Sequence, residues 1–384
     1  MYRSLKIFFL IILVCAAALA QSKVATQTNV IAEIQKALDA EIAANPSLPG
    51  ELLHLKVPSR GIDVSLASGV FDRESKRPLE PHHTFRVASV TKTFVATSVL
   101  RLIEDGKLGF DDQITKHLPG EYVELLRKDG YAVDTITIRH LLTHTSGIHD
   151  YATDQKYLLA VQSDPMHRWT RSEQVNAAMD WGQPLFEPGK GYRYSDTGYI
   201  LLGEIVERIT KLALPQALRK LLDFPKLDLD ETYFESLEKA PPNAKALSHP
   251  YYGDIDGMTI DPSVDLYGGG GIVSTVEDLA RFYRAIFQKG FFKRDTTLQI
   301  MLTIPATNEH IPGDPYAMGI SKRIIGGNVC WGHTGFWGTS VYHCPGPDIT
   351  IARHYNQAEP DDRFIFATLF QNIFLALGKP SSNQ

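Results

Sequence analysis

The stretch FRVASVTKTFVATSVLRLIEDGKLGF, residues 85–110, places Ser89 three residues before Lys92 at the head of an otherwise apolar helix. Phe94, Val95, Val99 and Leu100 follow at spacings that turn this helix toward a core. An ammonium in that setting needs partners. At i and i+3, Ser89 and Lys92 share one face within reach of each other. A serine hydroxyl is a poor nucleophile until its proton is taken, and a helix start offers free N–H groups to a developing oxyanion. The stretch therefore predicts a nucleophile and its proton partner. Spacing alone does not decide this, because Ser236-Leu-Glu-Lys239 repeats the pattern between Glu235 and Glu238, where a solvated face is expected.

Outward from that helix the patterning changes in kind. Residues 28–43 have helical apolar spacing, and HLKVPSRGIDVSLASGVFD reads as two short strands around a turn. Between about 104 and 265 the chain reads as helical pieces broken by Gly and Pro, among them IRHLLTHTSG, SEQVNAAMDW and TGYILLGEIVERITKLAL. STVEDLARFYRAIFQ is a further helix in which Ser274 and Glu277 fit a capping box. Strand-like runs then return in AMGISKRII, NVCWGHTG, TSVYHC and DITIARHYN, before a last helix within DRFIFATLFQNIFLAL. Strands at both ends with helices between predict an α/β fold: an antiparallel sheet formed from both chain ends and flanked by helices, with an inserted all-helical domain. The expected division is residues 21–103 plus 266–384 for the α/β part and 104–265 for the helical part. The crevice between them is the natural place for a site.

The first twenty residues, MYRSLKIFFLIILVCAAALA, run from Arg3 and Lys6 through an apolar segment to Ala18-Leu19-Ala20, the order of a cleavable secretory signal. A periplasmic or secreted protein is expected, without a membrane span after cleavage. Cleavage takes two of the 39 Lys+Arg and none of the 44 Asp+Glu, leaving a formal charge of −7. That acidity argues against a nucleic-acid partner. An oxidising setting permits Cys330 and Cys344, which flank a hairpin centred near Trp337, to pair; two unpaired buried thiols are the alternative.

Two further segments bear on Ser89. Tyr194-Ser195-Asp196 stands just before an apolar helix, and His333-Thr334-Gly335 stands on an expected strand. In order and approximate spacing, Ser89-x-x-Lys92, Tyr194-Ser-Asp196 and His333-Thr-Gly335 resemble the Ser-x-x-Lys, Tyr-x-Asn and Lys-Thr-Gly motifs of the serine β-lactamase and penicillin-binding family. ITIRHLLTHTSGI, GGGGIVSTVEDLARF and GHTGFWGT are similar to the same family, and the likeness runs from about residue 50 to residue 357.

The resemblance implies a β-lactamase/transpeptidase-like fold and an acyl-enzyme on Ser89, with Lys92 and the Tyr194 phenol handling the proton. It implies an oxyanion hole from the N–H groups of Ser89 and Phe336, with Gly335 letting the strand edge approach, and Thr334 on a substrate carboxylate. No cofactor is implied. Two positions depart from the commonest pattern. Asp196 stands where Asn is usual, and a carboxylate there favours the ammonium form of Lys92 and shifts the proton-taking role toward Tyr194. His333 stands where class C β-lactamases carry Lys, a form similar to soluble DD-carboxypeptidases and some family esterases. Its imidazolium is expected to assist binding of a terminal carboxylate. The expected activity is D-Ala-D-Ala carboxypeptidase type on peptides or D-amino-acid amides, with β-lactamase or carboxylesterase as alternatives and a non-turnover penicillin-binding sensor as another. The partner is then a small-molecule or peptide substrate; oligomeric state is not legible.

Other candidates read as structural. His140-Leu-Leu-Thr-His144 has zinc-helix spacing but Leu141 where a metalloprotease carries Glu, so no metal site is expected. His82-His83 reads as a pair of solvated imidazoles. Gly268 to Gly271 lacks the Lys-Ser/Thr of a phosphate loop and is expected to let backbone pass close under the site. Tyr192, Tyr199, Trp331 and Trp337 read as core or cleft wall, with Trp337 the best candidate for lining a substrate pocket.

Overall fold

GELLHLKV forms β1 (Gly50–Val57), and its near-continuous burial marks a strand covered on both faces. The structure, a computed structural model, describes residues 28–310 and 314–358 together with Ile373 and Leu377. The expected signal segment and most of the expected C-terminal helix lie outside the described residues. Helix α1 (28–44) precedes β1, and β2 (Ile62–Gly69) returns beside it as a hairpin. The chain continues through β3 (Phe85–Arg86) into α2 (Thr91–Glu104). Six helices follow: α3 (Gly120–Lys128), α4 (Ile138–Leu142), α5 (Gln155–Ser163), α6 (Arg171–Trp181), α7 (Asp196–Thr210) and α8 (Leu214–Leu222). Then come the short strands β4 (Tyr233–Phe234), β5 (Tyr251–Tyr252), β6 (Ile255–Asp256) and β7 (Ile272–Ser274), and helices α9 (Val276–Ile286) and α10 (Asp295–Met301). The last strands are β8 (Ser321–Ile325), β9 (Asn328–Gly335), β10 (Thr339–Cys344) and β11 (Ile349–Tyr355).

The main sheet has the order β2-β1-β11-β10-β9-β8, with every described pairing antiparallel. Both chain ends build it, as the sequence predicts. Ile34 and Leu38 of α1 cover one face through Leu53, Leu55 and Ile351, and α9 lies against β1, β10 and β11. In register, β1 meets β11 with Glu51 opposite Tyr355. Within this pairing Arg353 is fully buried, donating to Glu51 and Glu41 at 2.5 Å each. Cys330 and Cys344 form a disulfide across β9 and β10.

Two expectations need correction. The segment between α2 and Asp265 is not helical throughout, because β4, β5 and β6 lie within it; runs of two residues are too short to leave a periodic signature. The cap of α9 is Thr275, whose side chain accepts from Asp278 N. Ser274 instead sits in β7 opposite Phe85 and shares a 2.8 Å hydrogen bond with Thr232. The small sheet β3-β7-β4 positions the Ser89 segment, since it ties the chain just before Ser89 to the chain just after the glycine run.

Candidate active site

Ser89 does not lie in α2 itself but in a 3-10 turn, Ala88–Val90, immediately before it. The turn is fixed from two sides. Val87 N donates to Ile272 O at 2.9 Å, and Ala88 is held at φ +47°, a conformation that costs energy for a residue with a Cβ. From the sheet, Gly335 closes against the same turn: a Cβ there would lie 2.2 Å from Val87 O. Only glycine lets the end of β9 come this near. Phe336 follows outside the ladder, and among the described residues no acceptor takes its N–H. The strand edge and the helix-start turn thus bring both expected oxyanion donors to one place.

Lys92, in the first turn of α2, is fully buried. Its Nζ donates to Ser89 Oγ at 2.8 Å and to Gly269 O at 2.6 Å, and it pairs with the Asp196 carboxylate. Three hydrogens meet three acceptors, which is the complement of an ammonium. The glycine run Gly268 to Gly271 passes close under the site: a Cβ on Gly269 would stand 3.3 Å from Asp196 Cβ.

Ser195 is the N-cap of α7, so Asp196 is the first residue of that helix, where the dipole favours a carboxylate. Tyr194, just before the cap, places its ring 4.9 Å from Lys92 Nζ. Its hydroxyl is buried next to Ser89, near enough to feel it, without a hydrogen bond of ordinary geometry. Burial, and then the Asp196 charge, push the phenol well above its ordinary value. Tyr194 is therefore a phenol at rest, which weighs against its taking the serine proton.

Two carboxyls that sequence reasoning missed stand behind Asp196. Asp150 accepts from Asp196 N at 2.9 Å, and burial together with Asp196 raises it to about 7. Asp265 packs on Gly270, where a Cβ would lie 2.0 Å from its Oδ1, and is likewise raised to about 7 by burial and by Asp196. Neither belongs to a spacing motif; each reaches the site from a separate loop, before α5 and before the glycine run.

His333 departs from expectation. It is buried, its Nδ1 lies 2.6 Å from Thr334 O and its Nε2 2.9 Å from the Tyr316 hydroxyl. A carbonyl can only accept, so Nδ1 carries the proton; in the neutral ring Nε2 then accepts from Tyr316. Burial, with the Lys92 charge, lowers the imidazole to about 3. That value favours the neutral imidazole over the cation expected for a substrate carboxylate. Tyr316 was missed as well. Its ring also stands 4.6 Å from that of His144, a fully buried imidazole whose Nδ1 accepts from Ser195 N at 3.1 Å.

The family model described as Beta-lactamase matches residues 57–373. The chain belongs to the β-lactamase family. It is 29% identical over 244 residues to penicillin-binding protein 4* of Bacillus subtilis (strain 168), covering 59% of this chain and 50% of that protein. It is 38% identical over 176 residues to esterase EstB of Burkholderia gladioli, covering 45% and 44% respectively. The chain thus spans about half the length of the curated relatives it matches. Among solved structures, it is similar to the D-stereospecific amidohydrolase from Streptomyces sp., with a TM-score of 0.73 and 27% identity over 90% of this chain and 97% of that one.

Several remaining candidates lie outside the Ser89 cluster, and Trp337 borders it. Ser236 and Lys239 are exposed in a turn, not on a helix. His140 receives the Thr137 N–H at Nδ1 as part of a capping box. His82 is exposed, but His83 is buried, accepting from Glu80 N and packing on Phe71, so the expectation of two solvated imidazoles holds for the first alone. Tyr199 is core, donating to Leu142 O. Trp337 is buried and lines a pocket that also reaches Ala88.

Proposed function

We propose that the protein is a serine hydrolase that forms an acyl-enzyme on Ser89. The observation that carries this is the Lys92 ammonium, its hydrogens directed at Ser89 Oγ, Gly269 O and Asp196. In acylation, Oγ bonds to the substrate carbonyl carbon while its proton passes to Lys92, which hands one of its own to Asp196. The N–H groups of Ser89 and Phe336 hold the oxyanion. Tyr194 protonates the departing nitrogen or oxygen as its bond to carbon breaks, and Asp196 returns a proton through Lys92 to Tyr194. The serine proton is thereby balanced by the one the leaving group takes. Water then repeats the sequence on the ester, and Oγ recovers its proton.

Among substrates, the neutral His333 favours amides and esters whose leaving group needs no carboxylate over the D-Ala-D-Ala carboxypeptidase reading, for which Thr334 alone remains as a partner. The similarity to a D-stereospecific amidohydrolase and to an esterase supports the same side. Intact-mass measurement after a fluorescent penicillin or a p-nitrophenyl ester is expected to give one adduct, lost in Ser89→Ala and kept in Ser236→Ala. An adduct surviving the first substitution removes Ser89 from the mechanism. Steady-state comparison of a D-amino-acid amide, a D-Ala-D-Ala peptide, a cephalosporin and a short ester ranks the substrates; one-to-one acylation without turnover on all four marks a sensor.

A further inference from the structure

Ala88, the residue before the nucleophile, lines a pocket together with Asp265, Val264, Trp337, Arg86 and Glu235. Two cations lie in or near this pocket, and both are satisfied internally. Arg86 forks onto Glu235 at 2.7 and 3.0 Å and donates to Gly257 O at 2.8 Å. Lys92, beyond the glycine run, spends its hydrogens on Ser89, Gly269 and Asp196. Asp265 is what remains: among the described residues no donor or cation bonds its carboxylate, and Gly270 beneath it leaves no room for a side chain that would. Opposite it, Trp337 and Val264 make an apolar wall, which sharpens any charge interaction inside.

We infer that Asp265 is the anionic half of a substrate subsite, receiving the free ammonium of an amino-acid acyl group while that group's carbonyl lies at Ser89. The pocket borders Ala88, the residue before Ser89, and on this proposal the cation belongs to the acyl part of the substrate. The substrate class is then an amide or ester of an amino acid with an unblocked amine, in preference to one whose amine is acylated or missing. Burial and then the Asp196 charge hold the Asp265 carboxyl up to about 7 against the opposing pull of Lys92 and Arg86, and a substrate ammonium in direct contact would favour its charged form. This inference rests on the acyl-enzyme reading above and narrows it.

The test compares alanine p-nitroanilide, as both enantiomers, with propionyl p-nitroanilide, which differs only by the amine. Wild type is expected to prefer the amine-bearing substrate in kcat/KM by roughly ten- to a hundredfold for at least one enantiomer. Asp265→Asn should collapse that ratio toward one, whatever it does to both rates, and Asp265→Glu should restore part of it. A circular-dichroism melt of each variant verifies folding. A wild-type ratio of one or below, or a ratio unchanged in Asp265→Asn, overturns the subsite. Ser89→Ala is run alongside: turnover persisting there overturns the acyl-enzyme reading instead, and absence of both turnover and adduct in wild type overturns both.

Discussion

At position 196 a carboxylate, rather than an amide, faces Lys92 Nζ, and in the proposed mechanism this exchange gives the serine proton a place to go. With Tyr194 held as a phenol by burial, the direct route from Ser89 Oγ is to Lys92, across 2.8 Å, once Lys92 has passed a proton to Asp196. Lys92→Ala is expected to slow acylation by about 10²–10⁴, read by single-turnover kinetics with a p-nitrophenyl ester. A rate near wild type excludes Lys92 as the base. The residues of the proposed relay could be singled out in the sequence because each sits in a local motif: Ser89 and Lys92 one turn apart, Tyr194 and Asp196 about a helix cap, His333 to Gly335 along one strand. The state of His333 was not legible, since its neutrality depends on Tyr316, seventeen residues away, and on enclosure by other elements. Asp150 and Asp265 were illegible for the same reason: no periodicity links a loop acid to the lysine it will stand beside.

At the scale of elements, β9, which leads into the proposed oxyanion donor Phe336, is cross-linked to β10 by Cys330–Cys344, positions fourteen residues apart in the chain. A loop of that length gains about 3 kcal/mol from closure. Cys330→Ala with Cys344→Ala is expected to lower the melting temperature, and dithiothreitol should lower that of wild type toward the same value; no response to reductant would mean that the thiols are unpaired in solution. The strands of the main sheet were readable from alternation and apolar runs, and the helices from their 3.6-residue spacing. The two-residue strands β3 to β6 were not, because their pairing is decided by partners that can lie far along the chain, as Phe85 with Ser274 illustrates. Ser274 looked like a cap for the same reason: a hydroxyl before a helix signals capping until a neighbouring strand claims it.

Across the whole molecule, buried titratable groups of opposite kind occupy one pH window. Burial lowers His54 and His343 to about 4 and His333 and His354 to about 3, and puts His144 well below its ordinary value. Unfolded imidazoles take a proton near about 6.5, so as pH falls these groups charge in the unfolded chain first and withdraw stability. Burial raises Asp150, Asp265 and Glu231 to about 7 and Asp278 to about 6. The folded chain binds their protons while unfolded carboxylates stay ionised down to about 4, so the same fall in pH adds stability. Burial also lowers His83 and His140 and raises Asp129, so seven imidazoles oppose five carboxyls and the two sets largely offset. The melting temperature is expected to stay nearly level from pH 6.5 to about 4. Below that it should drop steeply, as the carboxyl gain saturates and carboxylates held low by hydrogen bonds, such as Asp72 with Ser75 and Asp112 with His117, begin to protonate. Calorimetric scans across pH 3 to 7 check this, and a decline that starts at 6.5 contradicts it.

The seating of β1 between β2 and β11, with Glu51 opposite Tyr355, also fixes when the molecule can come together. During synthesis the β1–β2 hairpin emerges early, but the partner for its other edge is made some three hundred residues later. Until then Leu53 and Leu55 have no sheet to belong to and the edge stands open, a template for pairing with other chains. Contacts this distant close slowly, so the Ser89 turn, braced by β9, can only form after nearly the whole chain has left the ribosome. A chain truncated anywhere before β11 is left with an orphaned hairpin and faces aggregation rather than partial activity.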